Sequence, residues 1–308
     1  MSLGNEPGTG GVVKPRLPEW LKVRLPGGER YHELKSLMSR LRLNTVCEDA
    51  KCPNVGECWG RGVATFMILG DVCTRGCRYC AVAKGKPLTL DPHEPDRVAE
   101  AARVMRLRHV VVTSVDRDDL PDGGASIFAA TVRRIRAESP GTFVEVLIPD
   151  FRGDEAALRT VLEAKPDVLN HNTETVPRLY KRVRVGGRYD WTIELLRRSR
   201  AIAPAIATKT GLMLGLGETE DEVLAVLSDL VSVGVAIVTL GQYLRPTPQH
   251  LPVERFVTPG EFRALKEKGE ALGIPHVESG PLVRSSYAAD RQFAAVTTVS
   301  DTVVTPRT

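Results

Sequence analysis

The chain is organised around Ala64-Thr65-Phe66-Met67-Ile68-Leu69-Gly70, followed two residues later by Cys73-Thr74-Arg75-Gly76-Cys77-Arg78-Tyr79-Cys80. The first segment is apolar without polar alternation, which is typical of a strand buried on both faces of a parallel sheet. The second places three cysteines at C-x3-C-x2-C spacing. A [4Fe-4S] cluster normally takes four protein ligands, so three thiolates leave one iron open. The stretch therefore predicts a buried strand that leads into an iron–sulfur site with one free coordination position.

Two other uses of cysteine fit this chain less well. A zinc site would need four nitrogen or sulfur ligands, usually as two separated pairs. A disulfide framework is typical of small secreted chains, whereas this one has 308 residues and begins without an apolar signal segment. All six cysteines lie between positions 47 and 80. Such clustering favours metal binding in a reducing compartment, and we expect a cytoplasmic protein.

The composition is that of an ordinary globular protein, with 42% hydrophobic and 26% charged residues. No apolar run reaches membrane-spanning length, so we expect no membrane association. The net charge of +4 is small, and nucleic-acid binding usually requires a concentrated basic surface. The balance of charge suits an acidic protein partner better than a nucleic acid.

Repeated strand and helix patterns predict an α/β fold. Leu34, Leu37, Met38 and Leu41 have helical spacing, and Thr219-x-x-Glu222 and the segment from Thr258 to Glu261 have the pattern of helix starts. The predicted strands are 64–69, 109–115, 143–148, 167–171, 207–214 and 235–243. We divide the chain into a flexible tail at 1–18, an N-terminal extension at 19–62, a βα-repeat domain at 63–278 and a C-terminal extension with a flexible tail at 279–308.

The repeat domain predicts a partial (β/α)6-type, TIM-like barrel. A complete eight-unit barrel needs ~250 residues, which is more than 63–278 provides, so the two extensions should cover the gap. A doubly wound sheet is the competing architecture, and periodicity alone does not exclude it. The polar, glycine-rich segments all follow predicted strands, as expected where an α/β barrel has its site. They are the Cys73 loop, 116–124, 170–174, 215–218 and 243–247.

The motifs together resemble one known family. The spacing around Cys73, with the aromatic Tyr79 before the last cysteine, resembles the radical S-adenosylmethionine (SAM) enzymes. A second set, Cys47-x4-Cys52-x5-Cys58, precedes it. With the segment from Arg117 to Ala125, Gly215-Leu216-Gly217-Glu218-Thr219 and Arg284-Ser285-Ser286-Tyr287, these sets resemble the lipoyl synthases over about residues 20–290. Thr210 and Tyr79 replace the serine and phenylalanine common there, without loss of a ligand or a charge.

The resemblance implies a reaction and its cofactors. Lipoyl synthases insert two sulfur atoms, at C6 and C8 of a protein-bound octanoyl-lysine. The cluster of Cys73, Cys77 and Cys80 would cleave SAM, and a second [4Fe-4S] cluster would donate the sulfur. The implied partners are octanoylated lipoyl carrier domains (2-oxoacid dehydrogenase E2 subunits and the glycine cleavage H protein), an electron donor such as flavodoxin or ferredoxin, and a cluster-assembly carrier. Another radical sulfur-inserting enzyme and an iron–sulfur electron-transfer protein are the alternative functions.

The resemblance also implies site residues. Cys47, Cys52 and Cys58 would hold the sulfur-donor cluster, with Ser286 or Ser285 as its remaining ligand and Ser286 preferred. Tyr79, Gly123, Gly124, Asn172 and Glu174 would contact SAM, and the two glycines would let the backbone approach it closely. The basic run from Arg178 to Arg188, which includes Arg182 and Arg184, would steer an acidic carrier domain towards the site.

Overall fold

Eight strands form the central sheet of the computed structural model, which describes residues 17–22, 29–45, 52 and 54–301. Cys47 and most of the predicted tail at 1–18 lie outside the described residues. The strands of this sheet are β1 (Asn44–Thr45), β2 (Val63–Ile68), β5 (His109–Ser114), β6 (Phe143–Leu147), β7 (Val168–Asn170), β8 (Ala207–Leu214), β9 (Ile237–Gln242) and β10 (His276–Gly280). A small second sheet pairs β3 (Val72–Cys73) with β4 (Ala83–Lys84).

Helices cover the strands. They are α1 (Glu29–Arg40), α2 (Val55–Gly60), α3 (Glu94–Val104), α4 (Ala125–Glu138), α5 (Glu155–Glu163), α6 (Tyr180–Val183), α7 (Tyr189–Ile202), α8 (Glu220–Ser232), α9 (Pro259–Ala271) and α10 (Ala289–Asp301). The capping boxes predicted for Thr219 and Thr258 are both formed, each with its glutamate three residues on. The six predicted strands are confirmed to within one or two residues at each end. β1, β10 and α10 were not predicted, because each is short or lacks a sustained apolar pattern.

The strand order excludes the doubly wound alternative. β2, β5, β6, β7, β8, β9 and β10 follow one another in chain order and are all parallel, while β1 pairs antiparallel with β2 at one end. A doubly wound sheet reverses its order at a switch point, and this sheet does not. The order is linear, so among the described strands no pairing closes a ring. Helix α10 contacts β5 as well as β9 and β10, so the C-terminal extension bridges strands far apart in the order.

The two faces of the sheet differ in chemistry. Val110, Val112, Val144 and Val146 pack in the main apolar core together with helices α3 and α4. The alternate residues of the same strands point the other way, and they include the fully buried pair Glu145 and His109. Lys209 of β8 joins them, with Nζ 2.9 Å from Glu145 Oε1. The face that carries His109, Glu145 and Lys209, called the inner face below, is therefore partly polar. The outer face, which packs against the helices, is apolar.

A membrane span was not expected from the sequence. Within the described part of the chain, no helix has the length and apolar character needed to cross a bilayer.

Candidate functional site

The polar segments that follow the strands converge at one edge of the sheet. Thr74 N donates to Asp116 O at 3.0 Å, which joins the cysteine loop to the end of β5. Arg78 N donates to Val183 O at 2.9 Å, which joins the same loop to α6. On its other side, His250 Nε2 lies 3.0 Å from Cys80 O. Hydrogen bonds to the loop backbone from three separate segments thus fix the loop at the carboxyl ends of the strands.

The three cysteines of this loop lie near one another and are partly exposed. The thiols of Cys77 and Cys73 each interact electrostatically with that of Cys80, and Arg75 N lies 3.4 Å from Cys73 Sγ. Burial raises the pKa of all three thiols, that of Cys77 to about 12. Among the described residues, no three Cys, His, Asp or Glu side chains converge on a single metal ion. Cysteines that each bind a different iron of one cluster fit this arrangement.

Arg75 anchors the cysteine loop to the segments that follow β5 and β6. Its guanidinium donates to both oxygens of Asp150, at 2.7 and 2.6 Å, and to both oxygens of Asp118 at 2.8 Å. Although burial raises it, the pKa of Asp150 falls to about 2 because of Arg75. Hydrogen bonds between charged groups are the stronger ones, so this pairing holds the loop rigidly against the ends of β5 and β6. The sequence analysis did not predict this role for Arg75. The signals for it were the position of Arg75 between Cys73 and Cys77 and the acidic residues at 116–122.

A second buried arginine, Arg184, has only neutral hydrogen-bond partners. Nη1 donates to Asn172 O at 2.6 Å and contacts Tyr180 Oη, and Nη2 lies 3.3 Å from His171 Nε2. Burial lowers the pKa of His171 to about 3, and the positive charge of Arg184 is the second largest cause of this lowering. The neutral imidazole must donate from Nδ1 to Ile148 O, 2.8 Å away, which leaves Nε2 as the acceptor for Arg184. Within the described residues no carboxylate forms a salt bridge with Arg184, although Glu174 interacts with it electrostatically.

Glu174 and Asn172 lie beside Arg184 at the end of β7. Glu174 has φ of +70°, and its backbone is held by hydrogen bonds with Gly211 O and Met213 N. Asn172 Nδ2 donates to Glu174 Oε1 at 3.1 Å, while Asn172 Oδ1 is buried with no hydrogen-bond partner in the described part of the chain. Left-handed backbone in a non-glycine residue stores strain that is characteristic of functional sites. The carboxylate of Glu174, carried on this strained backbone, and the unsatisfied amide oxygen of Asn172 are suited to bind a polar ligand.

Tyr79 contributes to the environment of Glu174. Burial is the largest effect and raises the pKa of Glu174, while Arg184 and hydrogen bonds from Asn172 and Tyr79 oppose it. The predicted SAM contacts Tyr79, Asn172 and Glu174 are therefore neighbours at one rim, next to Cys77, whose thiol interacts with Glu174.

Gly123 and Gly124 precede α4 and have left-handed φ values of +60° and +90°. A Cβ atom on Gly124 would lie 2.3 Å from Leu69 Cδ1, and one on Gly123 would lie 2.9 Å from Phe151 Cδ1. Both positions thus require glycine to pack the loop against the ends of β2 and β6. This packing accounts for the glycines without a ligand, and their contact with SAM stays a prediction.

The second cysteine set lies where the two ends of the chain meet. Cys58 is buried on α2 and packs against Val63, Val111 and Ala289, with Tyr287 beside them. Asn54 Nδ2 donates to Leu282 O at 2.7 Å, although 228 residues separate them in the chain. Burial raises the pKa of the Cys52 thiol, and the nearby Arg284 lowers it. The structure therefore brings the Arg284–Tyr287 segment to Cys52 and Cys58, whereas Cys47 lies outside the described residues.

The side chains of Ser285 and Ser286 are half-buried. In the described part of the chain, neither hydroxyl has a hydrogen-bond partner. Both serines lie in the turn that leads into α10. Their flanking residues Arg284 and Tyr287 lie near Cys52 and Cys58, so this turn could offer a hydroxyl oxygen as a hard ligand for an iron.

The basic run from Arg178 to Arg188 lies only partly at the surface. Arg178 pairs with Glu222 and Arg182 pairs with Glu254, at 2.6 and 2.7 Å. Arg184 is buried. The prediction that Arg184 attracts a partner is wrong, because burial removes its charge from the surface. Arg178 and Arg182 stay exposed beside their carboxylates, and their steering role stays a prediction.

Comparisons with known proteins show which family the chain resembles. The family model described as the Radical SAM superfamily matches residues 67–230. A second, the N-terminal domain of lipoyl synthase of the radical SAM family, matches residues 6–52. The chain is 56% identical to the lipoyl synthase of Chloroflexus aurantiacus over 290 residues, which cover 94% of this chain and 95% of the relative. It is 58% identical to that of Symbiobacterium thermophilum over 279 residues, or 91% and 87% of the two chains.

Solved structures show the same fold at low sequence identity. The chain aligns with HydG, a maturase of the [FeFe]-hydrogenase, with a TM-score of 0.57 and 15% identity, covering 87% of this chain and 61% of HydG. It aligns with SuiB of Streptococcus suis, in complex with its precursor peptide SuiA, with a TM-score of 0.54 and 10% identity, covering 77% and 48%. These likenesses concern the fold alone.

Proposed function

The chain belongs to the lipoyl synthase family of the radical SAM superfamily, and from that premise we propose which of its residues perform the family's reaction. The reaction is the insertion of two sulfur atoms, at C6 and C8 of a protein-bound octanoyl-lysine, with SAM and two [4Fe-4S] clusters as cofactors. When bound, these groups supply the electron, the radical and the sulfur.

We assign Cys73, Cys77 and Cys80 to the SAM-cleaving cluster. Their loop is tied to three neighbouring segments, and Arg75 fixes it to Asp150 and Asp118. A rigid loop keeps the three thiolates in place while the fourth iron position stays open for SAM. The three close cysteines and the absence of a fourth nearby among the described residues support this assignment.

The rim next to Cys77 is proposed to hold SAM. Arg184 offers a positive charge without a carboxylate partner, which suits an anionic group of the ligand. Glu174 and Asn172 offer a carboxylate and an amide oxygen, which suit an ammonium group or sugar hydroxyls. Gly123 and Gly124 keep the loop close to β2, and Tyr79 holds Glu174 in place. Burial of these groups excludes water, which protects a radical from quenching.

We propose that Cys47, Cys52 and Cys58 hold the sulfur-donor cluster and that Ser286, rather than Ser285, completes it. The observation that carries this proposal is the meeting of the Arg284–Tyr287 segment with Cys52 and Cys58 across more than 200 residues of sequence. A serine oxygen is a harder ligand than a thiolate and a poorer match to iron in such a cluster. The iron it binds is therefore the easiest to release when the sulfur is transferred.

The enzyme acts on lipoyl carrier proteins. We propose as the individual partners the E2 subunits of 2-oxoacid dehydrogenases, the glycine cleavage H protein, a flavodoxin or ferredoxin as electron donor, and a cluster-assembly carrier. The confinement of all six cysteines to positions 47–80 supports our proposal of a reducing, cytoplasmic setting. We also propose the division into segments 1–18, 19–62, 63–278 and 279–308 as functional units, with the second and fourth building the sulfur-donor site.

The test combines metal analysis with product analysis. After anaerobic reconstitution, the protein should contain about eight iron atoms and eight sulfide ions per chain, as two [4Fe-4S] clusters require. With SAM and dithionite it should convert an octanoyl-lysine peptide to the product with two added sulfur atoms, detected by mass spectrometry. Ser286→Ala should lose iron from the donor site, and Ser285→Ala should not. Zinc with little sulfide, or SAM cleavage without sulfur insertion by the fully loaded enzyme, would contradict the proposal.

A further inference from the structure

The Arg61–Asp290 ion pair connects the two chain ends that build the sulfur-donor site. Arg61 directly follows α2, which carries Cys58, and Asp290 lies in the first turn of α10, four residues after Ser286. Arg61 Nη2 lies 2.8 Å from Asp290 Oδ1 and 2.7 Å from Oδ2. Each side chain is only 18% exposed, so solvent screens the pair weakly.

Other contacts between the same segments lie on both sides of the two serines. Before them, Asn54 Nδ2 donates to Leu282 O at 2.7 Å. After them, Tyr287 Oη lies 3.3 Å from Glu57 Oε1, and Ala289 packs against Cys58. The turn that contains Ser285 and Ser286, called the serine turn below, is thus attached to the segment around α2 on both of its sides. The contact of Asn54 is between neutral groups, and that of Tyr287 with Glu57 is exposed. Among these contacts, Arg61–Asp290 is the one ion pair.

Arg108, which directly precedes β5, supports the pair from the βα-repeat domain. Its Nη2 donates to Arg61 O at 3.0 Å and lies 3.9 Å from Asp290 Oδ2. Asp290 therefore faces two guanidinium groups, while Arg61 has one close carboxylate and lies 3.9 Å from Glu57. Loss of Asp290 removes the carboxylate nearest to both guanidinium groups, whereas loss of Arg61 still leaves Arg108 near Asp290.

We propose that Arg61 and Asp290 are positioning residues that hold the Ser285–Ser286 turn at the Cys52/Cys58 site. This inference rests on the proposed role of a serine as ligand of the sulfur-donor cluster. Neither residue offers an atom to the cluster. Their effect is to fix the start of α10 against α2, so that a weak oxygen ligand stays within reach of its iron until turnover.

The test uses anaerobically reconstituted holoenzyme carrying Arg61→Ala, Asp290→Ala, the double change, or the exchanged pair Arg61→Asp with Asp290→Arg. Arg136→Ala is the matched control, because it breaks a comparable 2.9 Å pair with Asp167 that is remote from both cysteine sets. The first measurement is hydrogen exchange at the amides of Tyr287 and Gln292, which donate to Arg284 O and Ala288 O. The second is the Mössbauer spectrum, with the iron count for each cluster.

We expect amide exchange in 284–292 to accelerate about tenfold or more in the single variants, the scale that loss of a hydrogen bond between charged groups allows. The donor cluster should lose iron while the Cys73 cluster and 5′-deoxyadenosine formation persist. The effect of Asp290→Ala should equal or exceed that of Arg61→Ala. The double variant should be no worse than Asp290→Ala, as direct coupling requires. The exchanged pair should restore only part of the protection and iron, because its new arginine would lie near Arg108 and its new aspartate near Glu57.

Wild-type exchange and iron in both single variants would overturn the proposal, and so would losses in the double variant that equal the sum of the two single losses. Ser286→Ala separates this failure from failure of the underlying assignment. If Ser286→Ala and Ser285→Ala both leave the donor cluster unchanged, the serine assignment is wrong. If Ser286→Ala alters that cluster but the Arg61 and Asp290 variants do not, only the positioning role is wrong.

Discussion

Arg75 donates two hydrogen bonds, 2.7 and 2.6 Å long, to the two carboxylate oxygens of Asp150. The first residue lies between two cysteines of the SAM-cleaving site and the second follows β6. The contact joins the loop to the sheet through a buried, charged pair. It gives the loop a rigid base that does not depend on the thiolates.

Arg75→Ala should destabilise the protein strongly. Removing Arg75 leaves Asp150 buried and charged without its guanidinium donor, and such changes cost about 3 kcal/mol or more. The midpoint of urea unfolding under anaerobic conditions should fall accordingly. Arg159→Ala, which breaks an exposed pair with Glu155 on α5, should change the free energy of unfolding by about 0.5 kcal/mol or less. Equal midpoints for the two variants would refute the anchoring role.

Glu174→Gly should separate stability from activity. Relief of the left-handed backbone should raise the free energy of unfolding by about 1 kcal/mol, whereas loss of the carboxylate should weaken SAM binding at least severalfold. Glu174→Gln, which keeps the strain and the size of the side chain, serves as the control for the charge. The readouts are thermal unfolding and equilibrium binding of SAM to the reconstituted protein. A Glu174→Gly protein that binds SAM normally would remove Glu174 from the site.

The buried pair of Glu145 and Lys209 should make stability depend on pH. Burial raises the pKa of Glu145, but Lys209 and His109 outweigh it and lower the pKa from 4.5 to about 2. Because the folded-state pKa is lower, the stabilisation is present above about pH 4.5 and is lost as the pH falls towards 2.

The comparison is with the double variant Glu145→Gln and Lys209→Met. The difference in thermal midpoint between wild type and variant should shrink from pH 5 to pH 3, by an amount equivalent to about 1–3 kcal/mol. Acid damage to the clusters affects both proteins and cancels in the difference. A difference that is constant or grows with acidification would show that Glu145 is not held as a carboxylate by Lys209.

The sequence predicted the frame of the molecule well and the contacts within it poorly. Continuous apolar runs such as 64–69 located the six long parallel strands, because strands buried on both faces need such runs. Cysteine spacing located the loop of Cys73. β10 (His276–Gly280) was missed because its inner face carries His276 and Glu278 rather than apolar residues.

Long-range pairing was the part that sequence reasoning did not reach. Nothing in the run from Arg178 to Arg188 distinguishes the buried Arg184 from the exposed Arg182, since their difference arises from packing against His171. The pairing of Arg61 with Asp290 spans 229 residues, and local patterns contain no information on it. The reason that Gly124 is glycine, its approach to Leu69, became visible only in the fold.

The central claim is that the cluster held by Cys73, Cys77 and Cys80 generates the radical, and that the cluster held by Cys47, Cys52 and Cys58 provides the sulfur. The direct measurement is a single turnover of enzyme reconstituted with ³⁴S-sulfide, acting on an octanoyl-lysine peptide with SAM and dithionite, compared with Cys58→Ala. We predict that both sulfur atoms of the product carry the label, and that Cys58→Ala forms 5′-deoxyadenosine without sulfur insertion. Unlabelled product from the wild type, or sulfur insertion by Cys58→Ala, would contradict the account.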